Sequence, residues 1–287
     1  CHTMQFADTL VIFDTGSGMT DLGDELMKPY LMPGKTMADV EFFMSQYFAK
    51  GLEAGKIGLA LINEGILGKR NGLKVYVVHS HLHGDHLYGL QAFKPIFLPT
   101  TEIHFISATH DDMNSVEVLK NMVFAHPVFP VKWDWLASKR THQLVHPGEW
   151  FEIPCSIGGP IKVFCLPMNH PNQAYGFRFV WGGKTIAITM DHEHGHDHDR
   201  HILELWNGAD IVVTEAQYSN HQYANCKGFG HISEDAVGEH ARDAQPGRVI
   251  TTHHDPGSDF GTVRDIARTI ERISGVRTEF ACQGTWF

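Results

Sequence analysis

Cysteine, positive charge and long apolar runs are all in short supply in this chain. Its five cysteines, Cys1, Cys155, Cys165, Cys226 and Cys282, are odd in number and scattered, with no C-x-x-C pair. No disulfide framework is visible, and a reducing compartment is the expectation. No apolar run approaches the length of a membrane span and no signal peptide is apparent. The chain opens at Cys1 without a methionine, which is compatible with a trimmed leader or tag. Lys and Arg total 23 against 33 Asp and Glu, a formal net charge of −10. That balance argues against a broad surface for a phosphate backbone, which needs clustered Lys and Arg. Internal repeats, linkers and low-complexity segments are also missing, so residues 1–287 read as a single domain. With 43% apolar and 20% charged residues, the chain has the make-up of a globular protein with a sizeable core. A cytoplasmic protein acting on a small-molecule substrate is expected, with no extended nucleic-acid surface and no membrane association. A homodimer is compatible with that reading.

What the chain does have is histidine, 21 residues in all. The densest functional stretch is His81-Leu82-His83-Gly84-Asp85-His86. It follows Leu73–Val78, a β-branched run typical of a buried strand, and precedes Leu87–Phe93, which reads as the start of a helix. Imidazole and carboxylate are ligands for zinc, iron and manganese. At this spacing the donors cannot all face one ion. The natural division is His81 with His83 and Asp85 with His86, serving two neighbouring ions. The competing reading is a His-rich polar turn.

Further stations follow along the chain. Thr9–Phe13 is a strand ending in Asp14-Thr15-Gly16, which as it stands is turn chemistry. Residues 22–68 are helical or irregular, with helix formers around Met37–Gly51. Glu102–Ser107 is strand-like, and Ser115–Phe124 is an amphipathic helix. Strand Ile161–Leu166 delivers His170 into a loop bounded by prolines. Residues 175–189 form a hairpin turning at Gly182-Gly183 and running into Asp191. A carboxylate at the end of a buried strand is costly unless paired or bound to metal. Residues 192–201 carry five histidines, which suggest either a third metal site or a solvated loop walling the site; the loop is the simpler use. After the strand 209–214 and Glu215-Ala216 comes Gly230-His231-Ile232-Ser233, where Ser233 could cap a helix running towards Arg242. Strand 248–252 ends in His253-His254, followed by a helix and a short terminal strand.

The H-x-H-x-D-H turn and the order of these stations resemble the metallo-β-lactamase superfamily over roughly residues 5–265. The resemblance implies an α/β (α+β) fold, a four-layer αββα sandwich of two mixed β-sheets flanked by helices. It implies one site of His81, His83 and His170, and another of Asp85, His86 and His253, with Asp191 bridging. His253 is preferred over His254 because it directly follows the Thr of a T-H step. Asp14 matches a D-x-G turn whose Asp orients a ligand imidazole. The E-A … G-H-x-S arrangement resembles the phosphodiesterase branch that includes tRNase Z, where a His at the position of His231 protonates the leaving group. His231 and Asp85 are therefore the catalytic candidates, Asp85 serving as a metal ligand as well. Two divalent ions, zinc first and manganese or iron as alternatives, would activate a hydroxide for hydrolysis. A small phosphodiester ranks first as substrate: a cyclic nucleotide, a cyclic ribosyl phosphate or a dinucleotide. A lactone, thioester or β-lactam ranks second and di-iron redox chemistry third. No inserted Lys-rich arm of the kind that grips tRNA is evident. Departures from the family pattern are Gly84 within the turn, the extra imidazole His79, and the dense run 192–201.

Overall fold

Buried β-branched strands form the centre of each of two units, Cys1–Leu144 and Val145–Phe287. The computed structural model describes residues 1–50, 56–68, 72–110, 112–285 and 287. In the first unit, β1 (His2–Phe6), β2 (Thr9–Phe13), β3 (Lys74–His79), β4 (Glu102–Ser107) and β5 (Lys139–Leu144) form a sheet in that order. β1 pairs antiparallel with β2, and the other neighbours are parallel. β2 is buried throughout, and β3 is buried after its first residue. A strand covered on both faces reads as a continuous apolar run, which is how these two appear in the sequence.

Helices α1 (Met19–Met27), α2 (Met37–Ala49), α3 (Ile57–Asn63), α4 (Gly84–Leu87) and α5 (Ser115–Val118) complete this unit. Gly51, the end of the expected α2 region, lies outside the described residues. Met19, Ile57, Leu87 and Val118 join Ile12, Val75, Val77 and Phe105 in one core cluster, so the helices cover the sheet. Thr36 and Asp39 form a capping box at the start of α2, as Asn114 and Glu117 do for α5. The parallel register sets Phe13 opposite Val78, which brings the turns after β2 and β3 side by side. Gly89 is needed for that approach: a Cβ there would lie 1.8 Å from Gly16 O and 2.7 Å from Thr15 O. Gly89→Ala should therefore cost about 3 kcal/mol in urea unfolding, at the upper end of overpacking penalties. A loss below about 1 kcal/mol would show that the Thr15-Gly16 turn yields instead.

The second unit holds β6 (Trp150–Ile153), β7 (Ile161–Met168), β8 (Ala174–Trp181), β9 (Lys184–Thr189), β10 (Ile211–Glu215), β11 (Val249–Thr252) and β12 (Thr278–Phe280). Their order in the sheet is β12-β11-β10-β9-β8-β7-β6. Pairing is antiparallel from β6 to β9 and parallel from β9 to β12. β8 and β9 join through Gly182 and Gly183, both at positive φ (58° and 76°), the conformation a two-residue hairpin of matching twist requires. Helices α6 (Asp199–Trp206), α7 (Asn220–Tyr223), α8 (Glu234–Ala244) and α9 (Phe260–Ser274) accompany the sheet. Trp206, Val237, Ala241, Ile266 and Ile270 pack with Val212 and Val249 in its core. Registers Thr189↔Thr214 and Glu215↔Thr252 align the carboxyl ends of β9, β10 and β11. The residues that follow these strands, including Asp191 and His253, therefore emerge along one edge.

Two mixed sheets with flanking helices give the α/β architecture expected from the sequence. Among the described residues, no helix is long and apolar enough to cross a membrane.

Candidate metal centre

The turn after β3 is built on Asp14. This residue directly follows β2, in the left-handed region (φ 56°), and is 2% exposed. Its Oδ1 accepts the Ser80 N–H (2.7 Å), and its Oδ2 accepts the Ser80 hydroxyl (2.7 Å) and His86 Nδ1–H (2.9 Å). Because the Ser80 hydroxyl donates to Asp14, its oxygen accepts from His81 Nδ1–H at 3.0 Å. One carboxylate thus orients two imidazoles, His86 directly and His81 through Ser80. Burial alone would raise the Asp14 pKa, but the charge and hydrogen bond of His86, helped by His81 and His79, hold it well below the usual carboxylate range. The rings of His81 and His83 lie 4.6 Å apart, and those of His81 and His86 lie 4.1 Å apart. His86 Nε2 is 3.3 Å from Asp85 Oδ2, and the Asp85 side chain is exposed.

The second unit gathers His170, Asp191, His231 and His253. Asp191, also left-handed (φ 46°) and 2% exposed, places Oδ2 at 3.6 Å from His170 Nε2 and Oδ1 at 3.5 Å from His253 Nε2. Each carboxylate oxygen therefore serves a different imidazole, the disposition a bridging ligand needs. Asp191, His231 and His253 each bring a ligand atom within 4.8 Å of the others. His231 Nδ1–H donates to Glu215 Oε2 at 3.0 Å, and Glu215 Oε1 accepts the His192 N–H. Burial lowers the His231 pKa, but the hydrogen bond and charge of Glu215, with Asp191, outweigh it and leave the ring more basic than an ordinary histidine.

The donor set suits a divalent metal. His81, His86, His170 and His253 each commit Nδ1 as a donor: to Ser80 Oγ, Asp14 Oδ2, Gly230 O and Gln217 Oε1. Each therefore presents the Nε2 lone pair, the arrangement that outer hydrogen bonds impose on metal-ligating histidines. His253 occupies the left-handed region (φ 51°). Strained non-glycine backbone of this kind gathers at functional sites. The neighbouring His254 faces elsewhere, with Nδ1 on Ala216 O (2.9 Å) and Nε2 on Thr251 Oγ1 (3.2 Å).

The His-rich run is used partly as bracing. His192 Nδ1 accepts the Asn169 N–H and its Nε2–H donates to Asp199 Oδ1, the opposite tautomer to the four imidazoles above. His194 lies against Tyr223, and His201 Nδ1–H donates to Pro167 O. Nothing in the sequence singles out Ser80 or Gln217, whose partners are distant along the chain, and His192-Glu193-His194 stands out within the His-rich run only by its closeness to Asp191. Glu215 stood out only through the family pattern. The signal available for it was the one used for Asp191, a carboxylate at the end of a buried strand.

The extra imidazole His79 is fully buried, stacks on Phe105, and directs Nε2 to Thr15 Oγ1 (3.1 Å). Burial pushes its pKa down to about 4. The folded protein then holds it neutral where the unfolded chain, near the ordinary value of 6.5, takes up a proton. Stability should accordingly fall as pH drops from about 6.5 to about 4 and this contribution should level off below, with a total near 3 kcal/mol. In urea titrations of metal-free protein, the stability gap between the parent and His79→Leu should narrow across that window. A gap independent of pH would contradict it.

The sequence matches the family described as the beta-lactamase superfamily domain over residues 71–254. It is 25% identical to ribonuclease BN of Escherichia coli, across 63% of this chain and 70% of that protein. The metallo-β-lactamase fold protein YhfI of Bacillus subtilis superposes with a TM-score of 0.61 at 16% identity, covering 99% of this chain and 89% of that one. A diphosphatase of the PhnP family superposes with a TM-score of 0.55 at 18% identity, covering 99% and 81%. With the sequence match spanning most of the chain and two mixed sheets of the same fold beneath it, this protein is a member of the metallo-β-lactamase superfamily.

Proposed function

We propose that this protein is a metal-dependent hydrolase of small phosphodiesters that uses a dinuclear centre. The ligands would be His81, His83 and His170 for one ion and Asp85, His86 and His253 for the other, with Asp191 shared. The family match runs across residue 144, so both units belong to one functional domain in this reading. Two divalent ions held there would supply Lewis-acid activation of water and stabilise charge on a phosphoryl group; zinc is the first choice.

The observation that carries the reading is the His231–Glu215 pair beside Asp191 and His253. Glu215 holds the proton on Nδ1 and raises the basicity of the ring, so the protonated imidazole can donate from Nε2 to a departing oxygen. The leaving oxygen of a phosphodiester is an alkoxide, which needs that proton. Ribonuclease BN carries the name of a phosphodiester-cleaving enzyme and the PhnP-family protein that of a diphosphatase, and both names lie within phosphoryl chemistry. The net charge of −10 favours a small diester over a long nucleic acid.

Protein reconstituted with Zn2+ or Mn2+ should hydrolyse bis(p-nitrophenyl) phosphate and cyclic nucleotides. His231→Gln should lower turnover of the cyclic nucleotide by ~10²–10⁴-fold, the usual worth of a general acid. Its effect on the nitrophenyl ester should be far smaller, because nitrophenolate leaves without a proton. Equal losses on both substrates would remove His231 from the acid role. Hydrolysis of lactones, thioesters or β-lactams with no diester turnover would overturn the substrate class.

A further inference from the structure

Glu193 lies two residues beyond Asp191, and its carboxylate is filled by the chain itself. Oε1 accepts the Gly228 N–H (2.7 Å) and the Tyr223 hydroxyl (3.1 Å), and Oε2 accepts the Gly230 N–H (3.0 Å). With three donors in place and the residue 8% exposed, this carboxylate is occupied as a hydrogen-bond acceptor rather than offered as a ligand. Its main chain is tied to the loop before His170: the Glu193 N–H donates to Asn169 O (2.8 Å), and Asn169 Nδ2–H donates to Glu193 O (2.7 Å).

The segment that Glu193 holds is an arch, Gly228-Phe229-Gly230, with both glycines at φ +88°. The arch meets His170 closely. Gly230 O accepts from His170 Nδ1–H at 2.7 Å, and a Cβ on Gly230 would lie 2.4 Å from that same nitrogen. The next residue is His231. A buried carboxylate therefore fixes, through two backbone amides, the carbonyl that orients His170 and the chain that carries His231.

We propose that Glu193 is a positioning residue, whose carboxylate holds the Gly228–Gly230 arch so that Gly230 O keeps His170 in the Nδ1–H tautomer with Nε2 turned to metal. The assignment rests on His170 being a ligand in the reading above. Removing the carboxylate frees the glycine amides and lets the arch move, and the ring then loses its tautomeric bias. Outer hydrogen-bond partners of this kind are worth ~10–100-fold in metal affinity.

The test compares the parent with Glu193→Gln, Glu193→Asp and Tyr223→Phe. Gln keeps the size but turns an NH2 group towards a glycine N–H. Asp keeps the charge and withdraws it by one methylene. Tyr223→Phe removes only the third donor. The first readout is 15N–1H correlation NMR of the imidazoles in metal-free protein, with the His170 signal assigned by His170→Gln. The second is Zn2+ affinity by chelator competition. The parent and Tyr223→Phe should show His170 protonated at Nδ1. Glu193→Gln and Glu193→Asp should show a mixed tautomer and ~10–100-fold weaker Zn2+ binding. If Glu193→Gln fails to fold, Glu193→Asp carries the test. An unchanged tautomer and affinity in a folded Glu193 variant would overturn the proposal and leave Glu193 a structural clamp. A parent that binds Zn2+ with His170 in the stated tautomer yet hydrolyses no diester would overturn the proposed substrate instead.

Discussion

Asp191→Ala should abolish diester hydrolysis, by about 10³-fold or more, while leaving the fold intact. Its two oxygens stand 3.6 Å from His170 Nε2 and 3.5 Å from His253 Nε2, so one truncation removes the carboxylate that faces both imidazoles. Metal ions stabilise charge in a transition state by several kcal/mol, and each 1.36 kcal/mol is a factor of ten. Function and folding separate in the response to metal. Asp191 sits in the left-handed region (φ 46°), which Ala tolerates less well than Asp, so the metal-free variant should melt somewhat below the metal-free parent but still unfold cooperatively. The parent should gain stability with added Zn2+, as linkage requires of a ligand that binds the native state, and the variant should gain little. Thermal unfolding with and without Zn2+ checks both halves. A variant stabilised by Zn2+ as much as the parent would remove Asp191 from the ligand set.

Asp14→Ala should act on the fold as well as the site. Truncation leaves three buried donors without their acceptor: the Ser80 N–H, the Ser80 hydroxyl and His86 Nδ1–H. At ~1–3 kcal/mol for each buried unsatisfied group, and with partial relaxation, a loss of about 3–5 kcal/mol is expected. The left-handed backbone (φ 56°) adds to it, because Asp tolerates that region better than Ala. Asp14→Asn keeps the backbone preference and one acceptor oxygen, so it should lose less stability but still ~10–100-fold in metal affinity. The pH dependence has a definite sign. The folded pKa is depressed, so the contribution is fully present above the ordinary Asp value and is lost as pH falls through the folded one. Urea unfolding of the metal-free variants measures the first effect, and chelator competition the second. An Asp14→Ala protein as stable as the parent would show that the turn after β3 is held some other way.

The sequence displayed the chemistry where it was dense. His81 to His86 could be recognised because several metal donors crowd one strand-to-helix turn, and Asp191 because a carboxylate at the end of a buried strand demands a reason. His253 and His254 are chemically identical neighbours in the sequence; in the structure His253 is at positive φ, while the His254 ring nitrogens meet Ala216 O and Thr251 Oγ1. Ser80 and Gln217 are not marked in the sequence, and Glu193 is marked only by its closeness to Asp191, because their contacts join distant segments. Asp14 reaches Ser80 across 66 residues, and Glu193 reaches Gly230 across 37. The same limit applies to the strands. β2, β3 and β4 were visible as apolar runs, whereas β5 reads Lys-Arg-Thr-His-Gln-Leu and is half or fully exposed. It is an edge strand, formed by pairing with β4 rather than by its own hydrophobic pattern. The helix expected over Ser115–Phe124 divides into α5 and a π turn at Leu119–Val123, a local change in winding that periodicity does not reveal.

The most direct measurement is a Zn2+ titration of metal-free protein that follows bis(p-nitrophenyl) phosphate hydrolysis and bound metal together. Turnover that rises to a plateau at two equivalents of metal per chain, and is absent from Asp191→Ala at the same loading, is the result the dinuclear phosphodiesterase predicts. A plateau at one equivalent would contradict the dinuclear centre, and a fully loaded protein without turnover would contradict the phosphodiesterase.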